Sequence, residues 1–200
     1  MEKIGLFGGT FNPLHFGHIK IAEAFVNSLE LTKCVFIPAN ISPFKIDVID
    51  NTAIDATHRL NMLARGLAEY SNFEYDDFEI RNGGVSYTYL TLEYFRAKNP
   101  ESKLFWLIGG DHIAKFNQWK NYQHILEMTE LAVVNRNSEL SDQDKNHIGD
   151  LTGGKFTIIN QPLIDISATD IRNRIKNGLA IEGLVPEKVI EYIEENGLYK

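Results

Sequence analysis

Short apolar runs alternate along this chain with segments of helical spacing, and only a narrow set of folds accommodates that order. The runs Lys3 to Phe7, Cys34 to Ile37, Phe73 to Ile80, Lys103 to Ile108, Leu131 to Asn135 and Phe156 to Asn160 predict six strands. Ile19/Ala22/Phe25/Val26/Leu29, Leu60/Leu63/Ala64/Leu67, Tyr87/Leu90/Tyr94, Ile171/Ile175/Leu179 and Val189/Ile190/Ile193 recur instead at the period of an amphipathic helix. Strand, helix and strand in succession imply right-handed crossovers, hence an α/β fold with a mostly parallel sheet and helices on both faces. In such sheets a ligand sits beyond the carboxyl ends of the strands, where the strand order reverses. The residues just after each strand are therefore the ones chemistry would use. A chain of 200 residues that is 44% hydrophobic fills one core, so residues 1–200 are read as a single domain.

Charge narrows the partners. With 20 basic and 27 acidic side chains the net charge is −7, which disfavours a nucleic-acid backbone as the main partner but leaves room for a small anion in a local pocket. The single cysteine, Cys34, lies within a strand run and reads as a buried hydrophobe, so neither a disulfide framework nor a Cys-rich metal site is expected. Met1 to Gly5 lacks the apolar stretch of a signal peptide, and no run reaches the roughly 18 apolar residues of a membrane span. A cytoplasmic protein without a membrane partner is expected, and a homo-oligomer stays open. The most polar stretch, Asn137 to Gly154, reads as a surface excursion, in which Ser141 and Asp144 have the spacing of a helix cap but suit a solvated loop equally.

The first strand runs into Gly8-Gly9-Thr10-Phe11-Asn12-Pro13-Leu14-His15-Phe16-Gly17-His18, after which a helical pattern begins. Two glycines let backbone approach a ligand, and the helix start offers unpaired amides and a positive dipole end, which together suit phosphate. The segment is neither G-x-G-x-x-G nor G-x-x-x-x-G-K-[ST], so it supports neither a dehydrogenase nor a P-loop kinase. His15 and His18, three apart at the loop–helix junction, can both face one ligand and donate to phosphate oxygens. A zinc pair is the rival reading, and it lacks a third ligand at recognisable spacing.

This segment resembles the T/HxGH nucleotidyltransferase signature, in the form G-G-[ST]-F-[DN]-P-x-H-x-G-H of bacterial nicotinate-nucleotide adenylyltransferases, with Gly8, Gly9, Thr10, Phe11, His15 and His18 matching position by position. Ile166 to Arg172 resembles the family's I-S-S-T-x-I-R triphosphate motif, with Ala168 in place of one serine. Ser167 and Asp170 also have capping spacing, a sufficient structural reason for both, and Asp170 is left as a cap. Pro38 to Lys45 is similar to the segment ending P-P-H-K, here Ser42-Pro43-Phe44-Lys45, which retains the lysine but not the histidine. Ser86-Tyr87-Thr88 matches S-Y-T of the nicotinate site, although an ordinary helix start would also account for it. Asp111, in Gly109-Gly110-Asp111, is similar to the aspartate that meets a ribose, with a plain helix cap as its rival. Trp119, in a loop-like stretch, matches the tryptophan that stacks on pyridine, whereas Trp106 inside the fourth strand reads as core. The closing Gly197-Leu198-Tyr199 also looks like the family's tail.

The resemblance implies a Rossmann-like unit that transfers the adenylyl group of ATP to nicotinate mononucleotide. His15, His18, Lys45 and Arg172 would be catalytic. ATP would meet Gly8, Gly9, Thr10, Phe11, His15, His18, Asp111, Ser167, Thr169 and Arg172, and the mononucleotide Asn40, Lys45, Ser86, Tyr87, Thr88 and Trp119. Mg²⁺ would be the cofactor, bound through nucleotide phosphates rather than by protein ligands. A nicotinamide-specific or other phosphate-acceptor transferase and a catalytically idle nucleotide sensor are the alternatives.

Overall fold

Strand β1 (Lys3–Gly9) is followed by α1 (Phe16–Leu29), β2 (Lys33–Pro38), α2 (Ala56–Leu67), β3 (Phe73–Tyr75), α3 (Phe78–Asn82) and α4 (Thr88–Lys98). Then come β4 (Lys103–Gly109), a 3₁₀ stretch Gly110–Gln118, α5 (Tyr122–Met128), β5 (Glu130–Val134), α6 (Asp142–Thr152), β6 (Phe156–Ile159), α7 (Ala168–Lys176) and α8 (Glu187–Glu195). The computed structural model of the chain describes residues 1–45, 54–134, 140–160 and 165–200, the side chain of Lys45 excepted. Asn135 and the start of the polar stretch at 137–139 lie outside the described residues.

The six strands form one sheet in the order β3-β2-β1-β4-β5-β6, and every pairing is parallel. β1 lies between β2 and β4, so the order reverses beside the strand that carries the glycine-rich loop. The strands read as unbroken apolar runs because both of their faces are covered. In β4, Leu104, Trp106 and Ile108 face a core shared with Leu92 and Phe95 of α4 and Ile125 of α5. Phe105 and Leu107 face the opposite core, with Ile19, Ala22 and Phe25 of α1. A third cluster joins Met62 of α2 to Ile171 of α7 and Val189 and Ile193 of α8. Cys34 is fully buried, as its surroundings in the sequence predict.

Three expectations need correction. The strand expected over Phe73 to Ile80 stops at Tyr75, because Asp76 accepts from the Phe78 amide through its side chain at 2.9 Å and turns the chain into α3. The helical spacing that ran on to Leu179 ends at Lys176. Gly178 sits at φ 66°, the amides of Gly178 and Leu179 return to the carbonyls of Ile175 and Arg174, and Leu179 is 58% exposed. The stretch around Trp119 is not a plain loop, since Trp119 closes the 3₁₀ turn Gly110–Gln118. Of the two readings left open for Ser141, the helix is the one formed: its hydroxyl accepts from the Asp144 amide at 3.1 Å.

Candidate active site

A cleft of about 420 Å³ opens at the carboxyl ends of β1 and β4. Gly8, Gly9, Thr10 and Phe11 line it from the first loop, His18 from α1, Gly109 and Asp111 from the end of β4, and Thr169 and Arg172 from α7. Ser86 and Thr88 at the start of α4 and Trp119 complete the part that the sequence brings together.

The glycines of the loop are required by contacts within the protein. A Cβ on Gly8 would lie 2.9 Å from the indole of Trp106, and one on Gly9 would lie 2.8 Å from the ring of Phe11. Trp106 is thus core, as read from its strand position, and also a wall of the cleft. Phe11 adopts φ 48° while almost completely buried, a strained backbone held by its surroundings.

His15 and His18 stack, with ring centroids 3.7 Å apart. His15 is only 6% exposed and sits beneath the cleft rather than on its lining, whereas His18 reaches the surface of the cleft. The Nδ1 of His18 accepts from the His15 amide at 3.4 Å, which in the neutral ring puts the donor hydrogen on Nε2. Edge contacts from Phe7 and Phe11 hold the His18 ring from the other side.

Arg172 spans from α7 to the loop. One guanidinium nitrogen donates to the Asn12 carbonyl at 2.8 Å and another to the Thr169 hydroxyl at 3.3 Å, while Nε is buried with no partner among the described residues. A buried donor of this kind, on the wall of a cleft, suits an anionic ligand. Ser167 does not line the cleft; its hydroxyl accepts from the Asp170 amide at 3.1 Å and caps α7. Asp170 itself pairs with Arg174 at 2.8 Å.

The opposite end of the cleft is aromatic. Trp119 meets Phe44, His112 and Phe116 at centroid distances of 5.7, 5.8 and 5.2 Å, and its indole Nε1 is buried without a partner among the described residues. Asn40 lies just behind this end: its amide donates to the Ser86 hydroxyl at 2.8 Å and its side chain to the Gly84 carbonyl. Tyr87 caps α4, and the Lys120 ammonium lies 4.3 Å from its ring centre. Lys45 ends the 3₁₀ turn Pro43–Lys45, and its side chain lies outside the described residues.

Phe44, Glu79 and His112 also line the cleft although the sequence assigns none of them to the site, and Asn12, at the [DN] position of the first-loop signature, lines it as well. Phe44 replaces the histidine of the P-P-H-K pattern and stacks towards His112 at 5.0 Å. Glu79, 7% exposed, accepts from the Thr91 hydroxyl at 2.6 Å. Burial pushes its carboxyl above the ordinary value, and hydrogen bonds from Thr91 and Ser86 pull partly back. The separation Glu79 to Thr91 crosses a helix, a turn and a second helix, so no local pattern marks the pair.

Among the described residues no helix is long and apolar enough to cross a membrane, and no three His, Cys, Asp or Glu side chains group as a metal site. A family model described as cytidylyltransferase-like matches residues 6–174. The chain is 37% identical over 203 residues to the "probable nicotinate-nucleotide adenylyltransferase" of Clostridium novyi, covering 100% of both chains. It is 35% identical over 203 residues, again covering 100% of both, to the protein of the same name from Clostridium tetani. Among solved structures, Plasmodium falciparum nicotinic acid mononucleotide adenylyltransferase complexed with NaAD has a TM-score of 0.80 over 100% of this chain and 98% of that one; at 17% identity this is a likeness of fold. The two clostridial matches run the full length of both chains, so they reach beyond a shared fold: the chain belongs to the cytidylyltransferase-like nucleotidyltransferases and, among them, to the nicotinate-nucleotide adenylyltransferase family.

Proposed function

We propose that this protein transfers the adenylyl group of ATP to the phosphate of nicotinate mononucleotide, giving deamido-NAD and pyrophosphate. The observation that carries the reading is the division of one cleft into two chemistries. His18 and the buried Nε of Arg172 offer donors for phosphate at the loop end, and Trp119 offers an aromatic face for a pyridine at the other. The acceptor phosphate oxygen forms a bond to the α-phosphorus while the bond from that phosphorus to the bridging oxygen of pyrophosphate breaks. An acceptor already ionised at neutral pH needs no general base, so alignment and charge stabilisation carry the step.

In this reading His18, Arg172 and the loop amides steady charge on the α-phosphate and the leaving group, with His15 holding His18 from beneath and Lys45 closing on phosphate. Asp111 meets the ATP ribose, Ser167 and Thr169 present α7 to the triphosphate, and Asn40, Ser86, Tyr87, Thr88 and Trp119 form the mononucleotide end. His18 and Arg172 are donors rather than oxygen ligands, which fits a magnesium ion carried in on the triphosphate itself. When bound it neutralises phosphate charge. A cytoplasmic location accords with the reduced, buried Cys34.

One observation favours nicotinamide mononucleotide instead: the Glu79 carboxylate on the cleft wall is an acceptor that an amide NH₂ would use. Its engagement with Thr91 and Ser86 argues the other way. Pyrophosphate release from ATP and Mg²⁺ with each mononucleotide separates the two. We expect kcat/KM for nicotinate mononucleotide to exceed that for the amide by about 10⁴, because a carboxylate satisfies the α4 amides and an amide group leaves donors facing donors. Comparable values would reject the assignment, and no turnover with either would reject the activity.

A further inference from the structure

The nucleotide end of the cleft depends on a residue far along the chain from its loop. Tyr199 donates its hydroxyl to the Asn12 side-chain oxygen at 2.5 Å, across 187 positions of sequence. Asn12 lines the cleft, and its carbonyl is the one that Arg172 holds at 2.8 Å. Two residues earlier in the same loop, the Thr10 carbonyl accepts from the buried guanidinium of Arg59 at 3.0 Å, and Arg59 reaches the Ala39 carbonyl as well at 2.6 Å. Tyr199 feels the charge of both arginines, and burial nevertheless raises its phenol well above the ordinary value, so it stays a hydroxyl donor.

Backbone geometry shows that this placement is enforced. Tyr199 has φ 65°, a left-handed conformation that bulky side chains adopt only where the surroundings over-determine it. Leu198, just before it, is buried in the cluster that joins α2, α7 and α8, and the Leu198 amide returns to the Ile193 carbonyl at 3.0 Å. The anchored Leu198 thus delivers the strained Tyr199 to the loop.

We infer that Tyr199 is a positioning residue for nucleotide binding: its hydroxyl fixes the Asn12 turn, and through it the Arg172 guanidinium, in the geometry that receives the triphosphate. The inference rests on the adenylyl-transfer reading for the identity of the anion. Its own content is that a hydroxyl outside the cleft sets affinity for one substrate and not for the other.

The test is Tyr199→Phe in the full chain, which keeps the ring and removes the donor. Tyr192→Phe serves as control, because the Tyr192 hydroxyl meets His58 and Asn61 in the same helical layer, away from the loop. Calorimetry with a non-reactive ATP analogue and Mg²⁺ is expected to show about tenfold weaker binding in Tyr199→Phe, with binding of nicotinate mononucleotide within about twofold of the parent and a melting temperature lowered by only a few degrees, the cost of one buried hydrogen bond. Tyr192→Phe should bind the analogue like the parent. Analogue binding within about twofold of the parent in Tyr199→Phe overturns the inference. Equal weakening for both ligands, or equal weakening in both variants, also overturns it by making the effect one of general packing. Failure of the adenylyl-transfer reading would appear separately, as no pyrophosphate release by the unmodified protein with either mononucleotide.

Discussion

Gly17, in the first turn of α1, sets the posture of the two histidines. A Cβ there would lie 2.8 Å from the Nδ1 of His15, so the His15 ring can stack on His18 only while position 17 has no side chain. Gly17→Ala therefore opposes two effects. Alanine favours the helix by roughly 0.5–1 kcal/mol, and the added methyl forces the His15 ring to move. The expected outcome is a protein whose urea midpoint stays close to the parent's but whose kcat falls about tenfold, a dissociation of stability from activity that denaturation and steady-state assays read directly. His18→Ala should cost more, about 10²- to 10³-fold in kcat at saturating ATP with folding intact, because it removes a donor aimed at charge that develops during the reaction. Near-normal turnover in His18→Ala would take this side chain out of the chemistry. The motif was legible in the sequence because loop, glycines and histidines are contiguous. Glu79 was not, since its partner lies beyond local reach, and Asn12, although inside the motif, meets Arg172 and Tyr199 only through the fold.

Elements differ in how plainly they announce their limits. β4 was legible over nearly its whole length because both faces are buried and nothing interrupts the apolar run. β3 misled because Phe73, Tyr75, Phe78 and Ile80 remain apolar beyond the turn, and a single side-chain hydrogen bond from Asp76 decides the change from strand to helix. The resulting helix, α3, is fastened to α4 through Glu79 and Thr91. That fastening has a pH signature. The Glu79 carboxyl is raised above its ordinary value of 4.5 in the folded protein, so the folded state keeps a proton that the unfolded chain has released. Stability from this group therefore falls as pH rises from that value through the folded one. Glu79→Gln retains an acceptor for Thr91 and has nothing to ionise. Its urea midpoint relative to the parent should rise as pH increases above the ordinary value of 4.5, and parallel curves for the two proteins would show that the carboxylate is not strained by burial.

At the scale of the molecule, the sheet order could be anticipated only as a class, a parallel sheet with a reversal somewhere. The particular order places the reversal between β1 and β4, and the cleft with it. A ligand there touches the first loop, the start of α4 and the start of α7 at once, so its binding energy is shared by parts of the chain that otherwise meet through separate cores. ATP with Mg²⁺ at 100 times its Kd should stabilise the fold by about 2.7 kcal/mol, and in a protein of this size scanning calorimetry should register a rise of roughly 5–10 °C. An unmoved transition would mean that the cleft does not hold the nucleotide.

The bond from Arg172 to the Asn12 carbonyl closes a separation of 160 residues, and this gives the site a history as well as a shape. During synthesis the glycine-rich loop leaves the ribosome long before the arginine that steadies it, at a few to some twenty residues per second. For those seconds the growing chain has β1 and its loop but half an anion site. On the adenylyl-transfer reading, nucleotide would be held only after α7 has emerged and docked, so binding competence would arrive late in the life of the nascent chain, and ATP would select for molecules in which that docking has finished.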